Sequence, residues 1–112
     1  MDDCKLCKFL HRYLNGEEER VVYESEHVLA VYSTKPFAEV HIMILTKKHI
    51  PSMFEMIESD ILKDIWSAIQ VASQEVFALK GACKLEMYTG KFPTFTALKH
   101  FHCHVIYDST VD

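Results

Sequence analysis

The sequence predicts an α+β fold: a mostly antiparallel sheet of about five strands with one long helix. Three observations carry this. Runs rich in β-branched and aromatic residues crowd the chain before residue 47 and return after residue 83. Between them, one stretch repeats its apolar residues at three- and four-residue intervals. Strands and helices do not alternate regularly, so the β-α-β signature of a parallel sheet is missing.

In chain order, the segment Cys4 to Leu14 is followed by Arg20 to Glu24 and His27 to Ser33, two strand-like runs around the polar Glu24-Ser25-Glu26, the pattern of a hairpin. Val40 to Thr46 alternates as a third strand. After Pro51, Ser52-Met53-Phe54-Glu55 reads as a capping box opening a short helical turn. Ser59 is the expected N-cap of the long helix, Asp60 lies in its first turn, and Ile61, Ile65, Ile69, Ala72, Val76 and Leu79 form its apolar stripe. Gly81 ends it. Lys84 to Thr89 and His100 to Tyr107 are two further strands, joined by a loop through Gly90 and Pro93.

A chain of 112 residues, 49% hydrophobic, 12% aromatic and 25% charged, is expected to form a single domain over residues 1–112. Sixteen acidic against twelve basic residues leave a formal charge of -4, and no basic stripe is available to a nucleic-acid backbone. No charged-then-apolar leader opens the chain, and the apolar stretch Val40 to Leu45 is far shorter than the ~20 residues that span a bilayer. The expectation is a soluble, cytoplasmic protein without nucleic-acid or membrane partners. In that setting Cys4-x-x-Cys7 reads as a metal or redox site rather than half of a disulfide framework.

The segment His100-Phe101-His102-Cys103-His104-Val105-Ile106 is the sharpest feature. A strand sends alternate side chains to opposite faces, so three imidazoles are expected on one face, with Phe101, Cys103 and Val105 turned to the core. Three histidines on one straight strand make a poor zinc tripod, because the first and third lie ~13 Å apart by strand rise. A divided role fits better: one neutral imidazole as a nucleophile towards phosphorus, its neighbours orienting it or hydrogen-bonding phosphoryl oxygens. Cys4 and Cys7 supply half a zinc site, which His49 and His100 could complete; the bland alternative is two free thiols and two surface imidazoles. His41, among apolar neighbours, is by periodicity a core histidine bonded to backbone, while His11 and His27 are expected to be solvated. Lys47 and Lys48 read as a solvated strand end, and Trp66, Ile69 and Phe77 as core or subunit contact. No glycine-rich phosphate loop occurs, so any phosphate would be held by the histidine face and the loop Gly90 to Lys99.

Taken together, Asp3-Cys4-Lys5-Leu6-Cys7-Lys8, Arg20 to Leu29, Val40-His41-Ile42-Met43-Ile44-Leu45, Lys47-Lys48-His49-Ile50 and His100 to Ile106 resemble the histidine triad (HIT) superfamily, in particular its nucleotide-binding branch with an N-terminal cysteine pair. The resemblance implies a five-stranded antiparallel sheet with two helices, paired into a homodimer. It implies hydrolysis or transfer at the α-phosphate of a nucleoside phosphoramidate, adenylate or dinucleotide through a nucleotidyl-histidine intermediate. His102 matches the nucleophile, His104 and His41 its partners, and His100 the triad member shared with one structural zinc per chain, whose ligands would be Cys4, Cys7, His49 and His100. Tyr32, Ser33, Tyr88, Thr89, Thr96 and Ala97 fall on nucleotide-binding positions. Ser33 stands where the family commonly has an acidic residue for the ribose, Tyr88 or Thr89 where it has asparagine, and Thr96-Ala97 where a polar pair touches phosphate. Tyr107-Asp108 follows the triad where glycines are usual. The rival reading is a non-catalytic nucleotide- or protein-binding module with an altered cradle.

Overall fold

The computed structural model describes residues 4–52, 55, 58–87 and 100–109. Its elements are α1 (Lys5–Leu14), β1 (Val21–Glu24), β2 (Val28–Tyr32), β3 (Val40–Thr46), α2 (Ser59–Lys80), β4 (Lys84–Met87) and β5 (His102–Tyr107). All five strands pair antiparallel, in the order β1-β2-β3-β5-β4. The predicted class, five antiparallel strands with two helices, is the fold observed.

Directly opposed residues in an antiparallel ladder share a face. The β2–β3 and β3–β5 registers therefore put Val28, Ala30, Ile42, Ile44, Cys103 and Val105 on one side, and Leu29, Val31, His41, Met43, Leu45, His102 and His104 on the other. The first face is packed by Ile61, Ile65, Ala68, Ile69, Ala72 and Val76 of α2 into the main core. Part of the second is covered by α1, whose Leu6 and Leu10 bury against Leu29, Val31 and Leu45. Strand β3 is thus buried on both sides, with only Met43 partly open, although its sequence reads as alternating. Each fully buried aliphatic side chain there stabilises the fold by about 1.5–3 kcal/mol.

Local chemistry sets the boundaries. Cys4 caps α1, its Sγ accepting the Cys7 N–H at 3.1 Å. In the β1–β2 turn, Ser25 Oγ accepts the Val28 N–H at 3.1 Å and donates to Asp64 Oδ2 at 2.8 Å, which ties the hairpin to α2. Gly81 ends α2 in the left-handed region (φ 77°), its N–H bonded to the Phe77 carbonyl at 2.7 Å.

Several details differ from the sequence reading. Ser59 is the first helical residue rather than the cap; Glu58 holds the N-cap position and makes no side-chain capping bond. Leu79 is exposed, and Ala68 takes its place in the buried stripe. Strand β5 starts at His102, two residues late, because His100 is turned aside to another partner, as described below. Strand β4 is described to Met87, so Tyr88 and Thr89 lie outside the described residues, as do Met53 and Phe54 of the capping box; a Glu55 N–H to Ser52 carbonyl bond at 3.2 Å marks the turn there. Among Trp66, Ile69 and Phe77, only Ile69 is core; Trp66 and Phe77 are 59% and 60% exposed.

Candidate active site and metal centre

The three histidines of the triad segment divide between two clusters. His102 and His104 stand on the α1 side of β5 with ring centroids 5.1 Å apart. From β3, His41 joins them: its Nε2 is 2.7 Å from His104 Nδ1. His100, which precedes the strand, faces Cys4, Cys7 and His49 instead.

Backbone groups decide which nitrogen of each ring carries the proton. The Phe37 N–H donates to His41 Nδ1 at 3.3 Å, so neutral His41 holds its hydrogen on Nε2 and donates it to His104 Nδ1. His104 must then carry its own hydrogen on Nε2. His102 donates from Nδ1 to the His100 carbonyl at 2.9 Å, which leaves the Nε2 lone pair available. His100 donates from Nε2 to the Thr46 carbonyl at 2.7 Å and aims the lone pair of Nδ1 at the two sulfurs.

Electrostatics keep the inner pair neutral. Burial, aided by the nearby His102 and His41, pushes His104 down to about 4; burial also lowers His41, and the Glu86 carboxylate opposes both shifts. A protonated His104 would also place two N–H donors against each other across the short contact to His41. The linkage has a definite sign: between about pH 4 and the ordinary value of 6.5 the unfolded chain binds a proton at this position that the native state refuses, so stability rises with pH through that window. His104 alone contributes about 3 kcal/mol of this, fully expressed above pH 6.5. Urea unfolding midpoints between pH 4.5 and 7 should therefore climb, and more shallowly in His104→Asn protein of equal metal content; parallel slopes in the two proteins would refute the assignment.

The second cluster satisfies the requirements of a metal site. Cys7 Sγ lies 3.1 Å from His49 Nδ1 and 3.4 Å from His100 Nδ1, and Cys4 Sγ lies 3.4 Å from His100 Nδ1. One donor atom from each of the four residues falls within 4.8 Å of every other. A tetrahedron with bonds of about 2.1–2.3 Å has edges of roughly 3.4–3.8 Å, which this spacing matches. Burial and the adjacent Cys4 push the Cys7 thiol up to about 11, a penalty on paired thiolates that a bound dication removes. The N-terminal pair, His49 past β3 and His100 before β5 thus form the metal site expected from their spacing.

Of the positions expected to bind nucleotide, Tyr32 and Ser33 are among the described residues. Ser33 follows β2 beside His41, its N–H bonded to the His41 carbonyl at 2.9 Å, but its Oγ accepts the Lys35 N–H at 3.2 Å. Tyr32 pairs with Ile42, packs against the α2-side core, donates its phenol to Glu75, and lines one cavity with Arg20, Ser33 and Thr34. Tyr88, Thr89, Thr96, Ala97 and the loop Gly90 to Lys99 lie outside the described residues. Lys47 and Lys48 pair with Glu24 and Glu58 at 2.7 and 3.2 Å. His11 is exposed as expected, whereas His27 is half-buried, 3.6 Å from Glu26. Cys103 is fully buried packing, its thiol pushed up to about 12 by burial.

Three residues near these clusters carry no signal in the motifs. Thr46 supplies the carbonyl that orients His100. Phe37, 49% exposed, lays its ring 4.2 Å from His41 and 5.1 Å from His104. Glu86 on β4 stands directly opposite His104. The alternation of β4 places Glu86 on the histidine side once its register is known, but register is not legible in a single strand.

The sequence model of the HIT domain family matches residues 15–110. The chain is 22% identical over 98 residues to the bifunctional adenosine 5'-phosphosulfate phosphorylase/adenylylsulfatase of Arabidopsis thaliana, a match covering 88% of this chain and 67% of that protein. The chain spans between about half and two-thirds of the length of the curated relatives it matches. A hydrolase of the same family from Clostridium thermocellum superposes with a TM-score of 0.75 at 28% identity, over 100% of this chain and 96% of that one. A zinc-bound histidine triad protein from Mycobacterium smegmatis does so with a TM-score of 0.75 at 18% identity, over 98% of this chain and 78% of that one.

Proposed function

The chain belongs to the HIT domain family, and from that premise we propose that it is a zinc-containing histidine triad hydrolase or transferase acting at the α-phosphate of a nucleotide conjugate, with residues 1–112 forming one such domain. The observation that carries this reading is the pairing of His102 Nδ1 with the His100 carbonyl at 2.9 Å. It presents Nε2 as an unprotonated nucleophile without need of a separate base. His102 Nε2 attacks the α-phosphorus, the bond to the leaving group breaks, and water later releases the nucleotide from the histidine. His104 is held neutral with its proton on Nε2 and serves as a hydrogen-bond donor to a phosphoryl oxygen, not as a general acid, since giving up that proton would leave an imidazolate. His41 positions His104. His100 positions His102 through its carbonyl and would offer Nδ1 to the metal.

Zinc, bound by Cys4, Cys7, His49 and His100, would supply structural cross-linking between α1 and the sheet; thiolate and imidazole donors in a four-coordinate cluster are the set this ion prefers. Such thiols persist in a reducing compartment, which supports a cytoplasmic location. Incubation with a phosphorus-labelled nucleoside phosphoramidate, followed by denaturing electrophoresis, tests the reaction. A protein-bound label that acid removes and base does not is expected; its absence across phosphoramidate, adenylate and dinucleotide substrates would refute the proposal.

The altered ribose position has its own consequence. Ser33 lacks a carboxylate, and its Oγ is already engaged by Lys35. A charge-assisted bond to a ribose hydroxyl is worth about 1.5–3 kcal/mol, so adenosine monophosphate should bind one to two orders of magnitude less tightly than to a carboxylate-bearing site. Ser33→Asp should recover about tenfold or more in calorimetric titration. No gain would favour the rival reading, a module whose cradle recognises a different ligand.

We also infer a homodimer. Leu62, Trp66 and Phe77 form an exposed apolar stripe on α2, and Leu85 and Met87 are exposed on the same side of the sheet along the edge strand β4. A stripe of this kind with an open strand edge fits a second copy of the chain. Light scattering should give twice the chain mass, and Trp66→Glu should shift it towards the single-chain mass; a monomeric wild-type protein would overturn the inference.

A further inference from the structure

Glu86 brings a carboxylate to a face otherwise given to phosphoryl chemistry. In the β4–β5 ladder it stands directly opposite His104, so both side chains leave the sheet on the same side, their Cβ atoms about 5 Å apart. Its side chain is only 17% exposed. Lys84 pairs with it at 3.0 Å, but that side chain is 50% exposed and opposes Ile106, two positions further from the histidines. Negative charge is therefore the inner member of this pair, and its field reaches both His104 and His41.

The place of this charge across the sheet gives it meaning. Ser33 follows β2, on the far side of His41, where it lines a cavity with Glu18, Glu19, Arg20, Tyr32 and Thr34. If His102 attacks an α-phosphorus whose nucleoside is seated towards β2, the departing group lies on the β4 side of the sheet, where Glu86 stands. We propose that Glu86 is a specificity-determining residue that favours substrates whose leaving atom carries a proton over those whose leaving group departs as an anion.

This rests on the histidine-nucleophile reading above. In a nucleoside phosphoramidate the nitrogen takes a proton from solvent and becomes cationic. His102 Nε2 forms its bond to phosphorus, the P–N bond breaks with its electron pair passing to nitrogen, and a neutral amine leaves. A carboxylate beside that nitrogen stabilises the protonated form, which matters because neutral His104 has no proton to spare. In adenosine 5'-phosphosulfate, cleavage at phosphorus instead releases sulfate dianion towards the same carboxylate, which raises the barrier.

The test compares wild-type and Glu86→Gln proteins on adenosine 5'-phosphoramidate and adenosine 5'-phosphosulfate, which share nucleoside and α-phosphoryl group. The amide keeps an acceptor for Lys84 and the shape of the side chain, so folding is checked by melting temperature alone. In the variant, kcat/KM for the phosphoramidate is expected to fall relative to that for the phosphosulfate by about tenfold or more. An equal change in both values, or none, overturns the role of Glu86 while the labelled histidine adduct still forms. If the wild-type protein forms no adduct with either substrate, the catalytic reading fails and this inference fails with it.

Discussion

Replacing His102 with alanine is expected to lower turnover of a nucleoside phosphoramidate by about a thousandfold or more and to abolish the acid-labile protein adduct. The loss is this large because no other ring in the cluster can take over. His41 and His104 are bound to each other through Nε2 and Nδ1, and the nitrogen that remains on His104 carries a proton rather than a lone pair. His100 has both nitrogens committed, one to the Thr46 carbonyl and one towards the sulfurs. The fold should survive, because His102 is only half-buried and its removal opens no cavity in the α2-side core; a stability change within about 1 kcal/mol is expected. His104→Ala provides the contrast: the adduct should still form, more slowly, since that substitution removes a donor and not the nucleophile. An adduct of wild-type yield in His102→Ala protein would move the nucleophile elsewhere.

The second large effect is expected on metal loss. Cys7→Ser should reduce bound zinc from one ion per chain to a small fraction of that, and should lower the melting temperature by about 10 °C or more. The size follows from what the ion holds in place. Helix α1 is attached to the sheet by Leu6 and Leu10 over Leu29, Val31 and Leu45, and Cys4 and Cys7 stand in its first turn and cap. Undocking the helix exposes two leucines worth about 1.5–3 kcal/mol each, a large part of the roughly 5–15 kcal/mol by which a domain of this size is stable. Metal analysis of protein purified without added zinc, and melting curves with and without a chelator, decide the matter. Unchanged metal content and melting temperature in Cys7→Ser would remove the ion from the account. Activity should fall as well, because the peptide carbonyl that orients His102 belongs to His100.

How much of this was legible beforehand can be judged residue by residue. The helix α2 and the strands were readable because their apolar periods are dictated by burial against one neighbour. The tight Cys4-x-x-Cys7 spacing and the alternation through His104 were readable for the same reason: both are local. The separation of His100 from the other two histidines was visible only as a competition between roles, since a strand register predicts three rings on one face while a metal site pulls the first one aside. His41 is a core histidine with a backbone partner, as its periodicity implied, and also the partner of His104, which only the β3–β5 register reveals. Tyr32 and Ser33 share a cavity with Arg20 and Thr34, a grouping that depends on how the segment before β1 folds back and is not legible in the run Tyr32-Ser33 itself. Phe37 touches His41 only four positions on, but that contact needs the turn before β3, and Glu86 matters through His104, 18 positions away and on another strand; neither carries a motif.

One feature of the sheet bears on how the molecule comes apart. Strand β3 is paired along both edges, with β2 and β5, and covered by α2 on one face and in part by α1 on the other. Its amide protons have no route to water short of separating the whole sheet, whereas those of the edge strand β4 are lost by fraying alone. In deuterated buffer the β3 amides should therefore be the last to exchange, at a rate set by global unfolding, and the difference from β4 would measure how far this small sheet opens piecemeal before it opens as one unit.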